Sequence, residues 1–158
     1  MENIIRNFIE GQSWHYQVLR DQSDQKLYKL GFTLNNGRFD IFVDIRPEQK
    51  LVLIFTFCPI QIPQNHRIRI SELITLANSG LNIGNFDLNF EDGTLRFKSS
   101  YVYSDTFQEP EAVFGRNFFI SFDTMDKFLP GVMSVIYANV IPVQAYKQLL
   151  AVHDPSLN

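Results

Sequence analysis

Residues 81–103 read LNIGNFDLNFEDGTLRFKSSYVY, and this stretch decides what kind of fold the chain makes. Phe86, Leu88 and Phe90 alternate with Asn85, Asp87 and Asn89; Leu95, Phe97, Tyr101 and Tyr103 alternate with Arg96, Lys98, Ser100 and Val102. Successive side chains of a strand point to opposite faces, so a period of two marks a half-buried antiparallel strand. Glu91-Asp92-Gly93 lies between the two runs, and an Asp-Gly step tolerates the positive φ that a hairpin needs. One face of this hairpin must be covered by another part of the chain.

Working outward, more strands lie upstream. Trp14, Tyr16 and Val18 alternate with polar residues, as do Tyr28, Leu30, Phe32 and Leu34. Asn35-Asn36-Gly37 turns the chain, and Phe39, Ile41, Val43 and Ile45 then face away from Asp40, Asp44 and Arg46. Pro47-Glu48-Gln49 reads as the next turn. Residues 51–57 are apolar on both faces, which predicts a central strand or one covered on each side. Helical stripes flank this meander: Ile4, Ile5, Phe8 and Ile9 at the start, and Ile70, Leu73, Ile74 and Ala77 after an expected cap at Asn65. Gly80 is expected to close that helix in a left-handed conformation. From Phe118 to Ile136 apolar residues recur every three or four positions, and Pro130 predicts a kink there or a break into two helices. Pro142 suits the first turn of a last short helix. The order of elements predicts one α+β domain over residues 1–158.

Composition narrows the function. The charge of −3 argues against nucleic acid, whose affinity rests on cations meeting phosphates. A single cysteine excludes an internal disulfide, no apolar run is long enough for a membrane helix, and the first residues lack the layout of a signal peptide. A soluble, cytoplasmic protein is expected. The 15 phenylalanines predict a core rich in rings.

The run from Pro63 to Tyr103 resembles the YbjN-like family of bacterial proteins, described as sensory-transduction regulators. The residues that carry the likeness are Leu76-Ala77-Asn78, Leu81, Gly84-Asn85-Phe86, Leu88, Asp92-Gly93 and Arg96-Phe97. Residues 125–130, with Val135 and Tyr137, are similar to that family's carboxyl-terminal helix. The resemblance implies a fold like that of type III secretion chaperones, a curved antiparallel sheet with helices packed on one face. It also implies a non-enzymatic module that binds a partner protein or a second copy of itself, and it brings no catalytic residue.

The residues themselves point to little chemistry. Cys58 ends an apolar strand before a proline, as a buried inert thiol would. His15, His66 and His153 are scattered without the spacing of metal ligands, so no cofactor or metal is expected. Asp40 and Asp44 share a strand face about 13 Å apart, too far for paired-carboxylate chemistry. Asn78 is expected to tie the helix end to the hairpin, and Gly80, Gly84 and Gly93 to serve backbone geometry. Phe42 is the more telling residue, because it shares a face with Asp40 and Asp44. Val52 and Ile54, opposite the face of Leu51, Leu53, Phe55 and Phe57, also need cover. A partner, or the amino-terminal helix, would supply it. Two functions stay open: an interaction module using an uncovered sheet face, or a carrier enclosing an apolar molecule among its aromatic side chains.

Overall fold

The computed structural model describes residues 1–106 and 108–153. Helix α1 (Glu2–Gly11) precedes four strands, β1 (Tyr16–Asp21), β2 (Lys26–Thr33), β3 (Arg38–Arg46) and β4 (Leu51–Phe57). After a 3-10 turn at Gln64–His66 come α2 (Arg67–Gly80), β5 (Asn85–Leu88), β6 (Leu95–Val102), α3 (Pro110–Tyr137) and α4 (Pro142–His153). The six strands form one open antiparallel sheet in the order β1-β2-β3-β4-β6-β5, with the helices on one of its faces. This is the α+β architecture expected from the alternation of strand and helix patterns.

The length of α3 binds the molecule together. At 1.5 Å per residue its 28 residues run about 42 Å, enough to cross the whole sheet. Its first half, with α1, presses Phe114, Phe118 and Phe122 onto Tyr28, Ile41, Val43, Val52 and Ile54. Its second half, with α2 and α4, packs Met125, Leu129 and Val132 against Phe39, Phe86, Leu95 and Phe97. Rings dominate the first cluster: Trp14 stacks on Phe118 at 5.4 Å and meets Phe32 edge-on at 5.0 Å.

Pro130 does not divide α3 into two helices, one of the two outcomes its type predicts. A proline cannot donate to the carbonyl four residues back, which here belongs to Asp126. Asn36, in the turn between β2 and β3, supplies the missing donor: its Nδ2 donates to that carbonyl at 3.0 Å, and its own N–H donates to Asp126 Oδ1 at 2.8 Å. The turn thus repairs the helix.

Other local expectations resolve in the same terms. Asn78 holds edge strand β5 by both groups of its amide: Phe86 N–H donates to Oδ1 at 2.7 Å, and Nδ2 donates to the Phe86 carbonyl at 3.1 Å. Gly84 and Gly93 have φ of 75° and 80°, and a Cβ on Gly93 would stand 2.2 Å from the Ile62 carbonyl. Gly80 corrects the reading of it as a left-handed cap: it is the last helical residue and has no positive φ, and the chain leaves α2 through an extended Leu81. Asn65 makes no cap either; its side chain bonds the His66 ring, and α2 begins after the 3-10 turn.

Candidate functional site

Paired residues of neighbouring strands share a face, so the register alone lays out the uncovered side of the sheet. One row runs Lys29, Phe42, Phe55, Lys98 across β2, β3, β4 and β6. Beside it lie Leu27, Asp44, Leu53 and Ser100, and beyond them Arg46, Leu51 and Val102. On its other side Phe57 pairs with Arg96, and Arg96 with Asp87. The centre is therefore aromatic and aliphatic, with charges around it.

Phe42 stands on this open face, half-buried, with its ring edge-to-face against Phe57 at 5.1 Å. Val52 and Ile54 do not. Both are fully buried beneath α1 and α3, so the reading of them as partner-binding residues is corrected, and the amino-terminal helix supplies their cover. The cause is one residue of register. The turn after β3 takes in Lys50 as well as residues 47–49, with Lys50 at φ 49° and its N–H bonded to the Pro47 carbonyl. Arg46 then pairs with Leu51 and Ile45 with Val52, which carries the even-numbered side of β4 to the core. A slip of one residue exchanges the two faces of a strand. The residues missed at the surface were thus Leu53, Phe55 and Phe57, and turn length was the signal that finds them.

Electrostatics sharpen the picture. The strand positions of the open face carry six cations, Arg20, Lys29, Arg38, Arg46, Arg96 and Lys98, against three carboxylates. Each carboxylate is engaged: Asp40 with Lys29 at 2.8 Å, Asp44 with Arg46 at 3.0 Å, and Asp87 with Arg96 at 2.7 Å. Asp44 is not a solvated charge; it is buried and also accepts from Gln25 Nε2 at 2.9 Å. Arg20, Arg38 and Lys98 have no anionic partner among the described residues. Two cations shield the rings: Arg96 sits 4.8 Å from the centroid of Phe55, and the Lys29 ammonium 5.6 Å from that of Phe42.

Three shallow depressions align across one end of this face. The first, of about 290 Å³, is lined by Gln17 and Gly31 together with Lys29, Arg38 and Asp40. Those last three residues also line the second, of about 450 Å³, beside Phe57, Cys58 and Pro59. Phe57 in turn links it to the third, of about 270 Å³, where Arg96, Asp87 and Asp92 stand. The backbone N–H of Thr94 holds the Asp92 carboxyl below the usual range, so that end of the furrow keeps its negative charge. Burial pushes the Cys58 thiol up to about 11, against a smaller opposing effect of a backbone bond to Ile60. At neutral pH it is a thiol rather than a nucleophilic thiolate.

No family model matches the chain, and no curated protein matches it. Among the described residues, no three His, Cys, Asp or Glu side chains gather as metal ligands do, and no helix is long and apolar enough to cross a membrane. The His153 side chain lies outside the described residues.

Proposed function

We propose that this protein is a non-enzymatic interaction module that holds a partner polypeptide against the open face of its sheet. The observation that carries this reading is the central block of Phe42, Leu53, Phe55 and Phe57, which no helix covers. At about 25 cal/mol per Å², covering such a block contributes several kcal/mol before the costs of association. A second copy docked face to face would set excess cations against excess cations, which favours a different chain as the partner. The resemblance to the YbjN-like family and to secretion chaperones points the same way, and on that basis we also propose kinship with that family.

The alternative, a carrier of an apolar molecule, has less support. The aromatic side chains that would line its cavity pack on one another instead, with Phe8, Phe114, Phe118 and Phe122 at ring separations of 5.2 to 5.6 Å. A photo-crosslinking residue placed at Ser100, on the open face, tests the proposal in cells. It should yield an adduct with another polypeptide, while the same residue at Glu72 on exposed α2 should not. Equal adducts from both positions, or none from either, would count against the reading.

A further inference from the structure

We infer that the occupant of the open face is an extended acidic segment, with carboxylates that meet Arg38 and Lys98 and apolar side chains that lie on Phe57 and Phe42; this rests on the docking reading above. The whole chain carries −3, yet the open face carries more cations than carboxylates. The excess is not neutralised within the face, since Asp40, Asp44 and Asp87 each already hold a cation, and Asp92, on the turn at one end, leaves the cations in the majority. Arg38 is the clearest receptor. It is exposed, its side chain makes no hydrogen bond or ion pair to a described residue, and it lines both the first and second depressions. A planar guanidinium with free donors suits a carboxylate, which it grips through two parallel bonds.

The furrow's direction sets the form of the ligand. Six strands about 4.8 Å apart span about 24 Å, a distance that about eight extended residues cross. Along it the charged groups around Arg38 give way to Phe57 and then to Arg96, Asp87 and Asp92. A nucleic acid strand fits less well, since it would bring a phosphate at every step, including to Asp87 and Asp92, where a polypeptide can place a neutral side chain.

The test uses the ¹⁵N-labelled full chain and three peptides of about eight residues, alternating leucine with glutamate, lysine or serine, alongside oligothymidine of the same span. The glutamate peptide should shift the amides of Gly31, Arg38 and Phe57 and bind about tenfold more tightly than the serine peptide, with the advantage shrinking as salt rises. Arg38→Glu, at an exposed position that leaves the thermal melt unchanged, should abolish that advantage, and Arg38→Lys should keep most of it. Equal binding of all three peptides at the same amides would overturn the acidic preference while leaving the docking face intact. Binding of oligothymidine in preference to every peptide would overturn it in favour of a nucleic acid. Silence of these amides toward every probe would remove the docking reading and this inference together.

Discussion

On β4, Val52, Ile54 and Thr56 point under α1 and α3 and are sealed from water, while Leu51, Leu53, Phe55 and Phe57 of the same strand point away from every helix and stay half-exposed. Both faces are apolar, so hydrophobicity does not separate core from surface here. Their polar company does. Across β3, β4 and β6 the covered face has no charged residue, and two of its polar groups bond α3: Thr56 with Ser121 at 2.8 Å, and Ser99 with Asn117 at 2.5 Å. The open face surrounds its rings with Lys29, Arg96, Lys98 and three paired aspartates. A buried charge must be paired to be tolerated, whereas a surface ring is sheltered at little cost by the stem of a neighbouring cation.

Truncations on opposite faces should break this contrast most visibly. Phe97→Ala empties a site sealed on all sides and should cost about 3–5 kcal/mol in a denaturant melt, against about 1 kcal/mol for Phe55→Ala. Within β4, Ile54→Ala should cost about 2–5 kcal/mol and Leu53→Ala about 1 kcal/mol; equal losses would mean that the faces are assigned wrongly. The covered side depends also on the repair of α3. Asn36→Ala leaves the Asp126 carbonyl without its donor and should cost about 1–3 kcal/mol, and much of that loss should vanish in a Pro130→Ala background.

At the rim between the faces, Cys58 gives a pH signature. Its folded pKa is raised, so from about pH 9 to about pH 11 the unfolded chain holds fewer protons than the folded one. Stability from this group is therefore complete below pH 9 and is lost as pH rises through that window. Cys58→Ala should flatten the fall in urea midpoint relative to the unaltered protein. The smallest effect belongs to Asp40→Asn. This half-exposed ion pair with Lys29 should change stability by no more than about 0.5 kcal/mol, and a larger loss would show that the open face is braced by its charges.

Much of the fold was legible because local rules govern it. Period-two runs placed every strand but β4, which a continuous apolar run placed, Asp92-Gly93 the hairpin turn, and Asn78 the tie between helix and sheet, since its amide needs only a strand edge within reach. Phe42 was assigned to the right face because Asp40 and Asp44 flank it in sequence. Helix ends were less legible: Gly80 and Asn65 carry the residue types of caps, but the chain enters α2 through a 3-10 turn and leaves it through an extended Leu81. The continuity of α3 through Pro130 was illegible for a related reason. Its rescue comes from Asn36, ninety positions away, and no local pattern contains it.

What the amino-acid sequence settled alone was a meander of antiparallel strands with amphipathic helices to cover one side. Alternation and capping act over a few residues, and they survive in the linear text. What only the tertiary structure decided was which side of β4 became core. That choice hung on a single added turn residue, Lys50, because the strand is apolar on both sides and takes its phase from the partner it pairs with. The make-up of the open face followed from the same choice, as the register brought Arg38, Phe57 and Lys98 to one surface.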